Sequence, residues 1–290
     1  MNIFMQIFFN SLEIGGVYAL AALGVILIFS TNHAFNYAQG VISMFCAFMG
    51  AHFMRAAGAN VWLSTLVAVL FAVAVGVVID RLVISRTLKV NIVAKQIITL
   101  GLVMVFLGLA PMFFGTDPLI YQRFAQGSTT ILNANITHGA IINIAIGVIA
   151  MASLFLFIRR TRWGLAVRAT ASNDIVARMM GIPTPIVTMG AWAVAAALGT
   201  LAALMIAPTT TVTFTMMDSI QITALLACVL GGLGTFHGPV IAAYIIAFTR
   251  NLAAFYISSV WAESIVYLLI LIVLMLNPNG LFGKKTVKKV

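Results

Sequence analysis

The chain has 290 residues, 62% of them hydrophobic and only 8% charged, with a mean hydropathy of +1.12. Soluble domains carry roughly a quarter charged residues, so this composition excludes an ordinary water-soluble globule. The formal net charge of +10 would suit a nucleic-acid partner, but its distribution excludes one. No basic residue precedes Arg55, and most of the others fall in three clusters, each following an apolar stretch. They are Arg81, Arg86, Lys89 and Lys95; Arg159, Arg160, Arg162, Arg168 and Arg178; and Lys284, Lys285, Lys288 and Lys289. That is how positive loops are kept on the cytoplasmic side of a membrane.

Apolar stretches run at about 4–30, 36–54, 61–80, 97–114, 138–158, 187–208, 220–233, 238–257 and 262–277. A spanning helix needs about 20 apolar residues, so the chain has room for roughly eight or nine spans. The expected fold is all-α: a polytopic transmembrane bundle, one permease-like domain over residues 1–290 with membrane lipid around it. The amino terminus, MNIFMQIFFNSLEIGG, lacks the basic region of a cleavable signal, and the first helix is expected to be retained. Two stretches separate the first basic cluster from the second, and four separate the second from the lysine tail. Both counts are even, which places the carboxyl terminus in the cytoplasm. Three stretches precede the first cluster, which puts residue 1 outside unless one of them turns back.

Two interruptions stand at corresponding places in the two halves. The first is Ser30-Thr31-Asn32-His33-Ala34-Phe35-Asn36-Tyr37-Ala38-Gln39-Gly40, and the second runs from Gly231 to Pro239, GGLGTFHGP. Paired breaks of this kind mark discontinuous helices beside a translocation path. Asn32, Asn36, Gln39, Gly231, Gly232 and His237 are therefore candidate path residues. Each could equally satisfy backbone groups freed at the break, or hold helices together. A repeat supports two pseudo-repeated halves: GGVYALAALG at 15–24 and GAWAVAAALG at 190–199 agree at five of ten positions, a number that an Ala-, Leu- and Gly-rich chain reaches by chance.

The polar segment 115–137, GTDPLIYQRFAQGSTTILNANIT, falls on the extracytoplasmic side by parity. It reads as a connecting loop, or as a short hairpin or docking ledge. Cys46 and Cys228 lie inside apolar stretches and read as packing residues. His33, His52, His138 and His237 lack metal-ligand spacing. Arg250, within an apolar run, is expected to snorkel to an interface.

The segment at about 159–186 is the longest polar stretch on the basic side. Ser172 or Asn173 can cap a short helix with Asp174 in its first turn. Gly181 is placed as the residue after its end, and Pro183 forbids continuation. Ile175, Val176, Met179 and Met180 form one apolar face. A two-turn helix is marginal alone in water, so this face requires a cover, either lipid headgroups or a groove on a cytoplasmic partner.

No energy source is visible in the chain. There is no G-x-x-x-x-G-K-[ST] phosphate loop, and GLFGKK at 280–285 has the wrong spacing. The six acids, Glu13, Asp80, Asp117, Asp174, Asp218 and Glu263, lie mostly near span ends, whereas ion-coupled pumps carry theirs within the membrane. His237 near Thr235, with no carboxylate to orient it, is too thin for catalysis. A transport subunit driven by partners is expected, with no catalytic residues, no metal and no cofactor of its own.

Three stretches carry a family resemblance: GVILIFSTNHAFNYAQGVISMFCAFMGA at 24–51, WGLAVRATASNDIVARMMGI at 163–182, and LLACVLGGLGTFHGPVIAAYII at 225–246 followed by PNGLFG at 278–283. Together they resemble the permease subunits of branched-chain amino acid ABC importers. The resemblance implies import of leucine, isoleucine, valine or a relative across a bacterial inner membrane. It implies a periplasmic solute-binding protein, two cytoplasmic ABC ATPase subunits that bind the ATP, and a second permease subunit forming a heterodimer. It also implies that Gly164, Arg168, Ala169, Asp174, Ala177, Met180 and Gly181 couple to the ATPase. Thr31-Asn32-His33 departs from the family's usual polar pattern, and urea or short-chain amide permeases share much of the rest, so the solute stays open. The rival from another class is a free-standing secondary transporter or channel.

Overall fold

The computed structural model describes residues 3–87, 91–131 and 134–283; Lys89 and the lysine tail lie outside them. Eleven α-helices appear among these residues: α1 (Ile3–Asn32), α2 (Gln39–Ala57), α3 (Val61–Leu82), α4 (Ile92–Phe114), α5 (His138–Arg160), α6 (Arg162–Ser172), α7 (Asp174–Met179), α8 (Thr184–Thr210), α9 (Asp218–Gly231), α10 (His237–Tyr256) and α11 (Ala262–Leu276). All nine apolar stretches are helical. Seven of the helices are long and apolar enough to cross a membrane, and α9 and α11 are shorter. The chain is a polytopic helical membrane protein.

Burial divides the long helices into two groups. α1, α2 and α8 are mostly enclosed, whereas α3, α4 and α5 turn most of their apolar surface outward. In water the second group would be intolerable. In hydrocarbon it is the ordinary outer face, since lipid tails are as apolar as leucine. α1 is the axle of the bundle: α8, α9, α10 and α5 all pack on it, and Val17 through Ile28 of α1 form a continuous buried run of Val, Tyr, Ala, Leu, Gly and Ile. Its 30 residues span about 45 Å at 1.5 Å each, well beyond a hydrocarbon core of about 30 Å.

The 115–137 segment does contain a hairpin. β1 (Ser128–Ile131) and β2 (Ala134–Thr137) pair antiparallel, with Ser128 opposite Thr137. The hairpin docks on the start of α1, where the Asn135 N–H donates to Gln6 Oε1 at 3.0 Å. Upstream, Tyr121 is buried and bonds Thr65 Oγ1 at 2.7 Å and the Val61 carbonyl at 3.2 Å. That burial pushes its phenol up to about 12, against the smaller opposing effect of the Thr65 bond. The beginning of α1 thus shares one end of the molecule with the hairpin, opposite the α6–α7 segment.

Arg250 is paired within the protein. It donates to Glu263 Oε1 at 2.8 Å and to the Tyr18 hydroxyl, tying α10 to α11 and α1. The reason is that α11 brings Glu263 back beside α10, a pairing that lies outside any one helix's periodicity.

Candidate functional site

The polar stretch after α5 folds as two helices rather than one. Thr161 caps α6 by accepting from the Gly164 N–H at 3.0 Å. Gly164 is needed there because a Cβ would collide with the Ile158 carbonyl of α5. Asn173, extended at φ −161°, separates the helices and caps α7 by accepting from the Val176 N–H at 3.1 Å. Asp174 sits in the first turn of α7 and pairs with Arg178 at 2.8 Å. Gly181 has φ +82°. Its N–H donates to the Arg178 carbonyl at 2.9 Å and the Ile182 N–H reaches back to Ala177 at 3.0 Å, the pair of bonds that closes a Schellman end.

Ala177 is the inward residue of α7. The outward ones are apolar: Ile175 is 71% exposed, Met179 81% and Met180 78%, with Val176 beside them at 50%. Arg168 is exposed on α6, its Nε donating to the Gly164 carbonyl at 3.4 Å, and Ala169 is half-buried.

The first break lies between α1 and α2, and its Asn36 and Gln39 turn inward. Asn36 is fully buried; its Oδ1 accepts from the Ala38 N–H at 3.0 Å and its Nδ2 donates to Gln39 Oε1 at 3.3 Å. Gln39 donates in turn to the Ala195 carbonyl of α8, and Gln221 of α9 donates to the Asn36 carbonyl at 3.2 Å. The freed backbone is thereby satisfied within protein, as hydrocarbon requires. Asn32 and Asn36 border a small gap with Lys95, Thr99 and Trp192.

The second break lies between α9 and α10. Gly231 and Gly232 are buried, and the PNGLFG segment folds back over them. The Leu281 N–H donates to the Leu230 carbonyl at 2.7 Å and the Phe282 N–H to Gly231 at 3.2 Å. The last carbonyls of α9 are thus capped by residues 281–282. His237 is exposed and meets the Phe282 ring edge-on, with centroids 5.7 Å apart.

Both breaks and α6 meet at one open cavity of about 760 Å³. Ser30 and His33 come from the end of α1 and the turn after it, Thr235 and His237 from the second break, and Arg159 and Arg168 from α5 and α6. Of the path candidates, His237 lines this cavity. Asn32 and Asn36 face the smaller gap, while Gln39, Gly231 and Gly232 are packed inside. His33 and Arg159 were not singled out from sequence as cavity residues. His33 carried a signal only in retrospect, a non-glycine residue at φ +53°. Among the described residues, no three His, Cys, Asp or Glu side chains come together as a metal site.

A membrane-embedded bundle with two interior breaks and a helical segment hung beneath them is the form of a permease. The chain belongs to the branched-chain amino acid transport system permease component family, whose model matches residues 7–275. It is 26% identical to the "High-affinity branched-chain amino acid transport system permease protein LivH" of Salmonella typhimurium and to that of Escherichia coli K12, covering 99% of this chain and 98% of each relative. It is 25% identical, over the same shares, to the corresponding protein BraD of Pseudomonas aeruginosa. No solved structure matches it.

Proposed function

We propose that this chain is the permease subunit of an ABC importer for branched-chain amino acids in a bacterial inner membrane. α6 and α7 receive force from cytoplasmic ATPases, and the two helix breaks form the moving part of the path. The observation that carries this reading is the shared cavity: α6 borders both breaks at once, so a shift of α6 is felt at each. The uncovered apolar face of α7 supplies the contact through which such a shift could be imposed. ATP is bound by the partner subunits, a periplasmic binding protein delivers the solute, and a second permease completes the path. The carboxyl-terminal lysines belong in the cytoplasm, the side that positive charge favours.

The relatives' names favour leucine, isoleucine or valine over urea or amides. The test is reconstitution of the chain in vesicles with its partner permease, ATPases and binding protein. ATP-dependent leucine uptake is expected; uptake that persists without any ATPase would overturn the reading in favour of a secondary transporter or channel.

A further inference from the structure

We propose that a second, smaller cavity, at the end of the molecule remote from α6 and α7, holds a zwitterionic α-amino acid between Glu13 and Arg123. The proposal deepens the function just given and rests on its solute class. The cavity encloses about 200 Å³ where the first turns of α1 and α5, the last turns of α8 and the segment before the hairpin converge. That is below the roughly 300–1,000 Å³ of sites for larger ligands, and it suits one small solute.

Charge is the first argument. Among the described residues, ion pairs join Arg178 to Asp174 and Arg250 to Glu263. Glu13 and Arg123 border the same cavity yet form no such pair with each other. Opposite charges held apart across a hollow are the complement of an ammonium and a carboxylate one carbon apart.

Asn143 is the second argument. It is 5% exposed and lines the cavity. Its Nδ2 donates to Glu13 Oε1 at 2.7 Å and to the Met205 carbonyl at 3.2 Å, which fixes the amide. Its Oδ1 is buried with no donor. That oxygen has no open surface towards the cavity, so Asn143 serves the site by holding the Glu13 carboxylate in place for an ammonium.

The carboxylate would find Arg123, whose planar fork donates to both oxygens. The Arg123 side chain lies over Gly139, in the first turn of α5. There the positive end of the helix dipole adds to the attraction. Phe124, Met205 and Pro208 give the cavity an apolar wall against which an aliphatic side chain can rest.

The test is binding of L-leucine to the full chain in lipid nanodiscs without ATPases, measured by calorimetry. 3-Methylbutylamine and 4-methylpentanoate serve as analogues lacking one charge each. Leucine should bind at least about tenfold more tightly than either analogue. Glu13→Gln and Arg123→Gln should each weaken leucine binding about tenfold or more while the melting temperature holds. Failure of the wild type to bind leucine, analogues that bind equally well, or two variants that bind normally would overturn the proposal. Uptake by the assembled importer separates the two readings. If the wild type transports leucine but this binding is absent, only the present inference falls; if ATP-driven uptake is absent, the function falls whatever the nanodisc titration shows.

Discussion

Gln39, the first residue of α2, donates its side-chain amide to the carbonyl of Ala195 in the middle of α8, 156 residues further along the chain. The same side chain accepts from Asn36, so one buried amide joins the first break to the helix that rises from α7. A helix beginning inside a bundle has free N–H groups and no water to meet them. Asn36 and Gln39 answer that need, and they also link the break mechanically to the α6–α7 segment.

Replacing Gln39 with Leu should therefore destabilise the protein even though the new side chain is apolar. Two buried partners lose their bonds, at about 1–3 kcal/mol for each group left unmet. A melting temperature several degrees lower in detergent is expected. An unchanged melt would show that the bond to Ala195 contributes little.

How much of this was legible beforehand differs by element. All nine apolar stretches, the end of α7 at Gly181 and the two breaks could be read locally, because each depends on hydropathy or on a single turn of backbone. Asn36 and Gln39 were legible as polar residues at a break, but their partners lie on α8 and α9, and no periodicity within one segment reveals a partner on another. The same limit hid the Arg250–Glu263 pair, the capping of α9 by residues 281–282, and the joint cavity of His33, Arg159, Arg168 and His237. The split of the polar segment into α6 and α7 was missed for a local reason. Thr161 and Asn173 are both good caps, and only the second was given weight.

Gly181→Val tests whether the close of α7 matters to coupling. At φ +82° there is open space for a side chain, so the penalty is backbone strain alone, about 1–2 kcal/mol. The variant should insert and assemble yet show ATP hydrolysis poorly matched to uptake. Gly181→Asn, which tolerates a left-handed backbone better, should retain more of the coupling. Equal, wild-type ratios of leucine transported to ATP consumed in both variants would refute the assignment.

Met179→Glu and Met180→Glu address what covers the exposed face of α7. Both side chains are largely free of contacts within the chain, so the melting temperature should move little, within about 0.5 kcal/mol of stability. Buried against a partner, a carboxylate among apolar atoms is expensive. Co-purification of the ATPase should fall about tenfold or more. Retained co-purification with both substitutions would point instead to lipid as the cover.

Tyr121 predicts a loss of stability in alkali. Its ordinary value near 10 applies to the unfolded chain, and burial raises it to about 12 in the folded one. The neutral phenol's contribution is thus fully present below pH 10 and drains away as pH rises towards 12. Tyr121→Phe should flatten the fall in melting temperature between those limits, at the cost of the bonds to Thr65 and Val61. A wild-type slope in the variant would show that other groups govern it.

The capping of α9 gives the sharpest contrast between two neighbouring glycines. A Cβ on Gly231 would strike the backbone of Gly238 and Pro239 at the start of α10, whereas one on Gly234 would meet nothing within 4 Å. Gly231→Ala must therefore push α10 away or tilt the end of α9. Either movement pulls the Leu230 and Gly231 carbonyls off the N–H groups of Leu281 and Phe282. Overpacking alone costs about 1–3 kcal/mol, and two buried carbonyls stripped of donors add to it. Gly234→Ala, by contrast, should melt as the wild type does. Truncation after Asn277 should reproduce the Gly231→Ala defect without any steric clash, because it removes the donors and leaves α9 and α10 untouched. If the truncated chain melts normally while Gly231→Ala does not, close packing at the second break matters and the backbone cap does not. If Gly231→Ala also melts normally, the two helices separate freely and the break is looser than its contacts indicate.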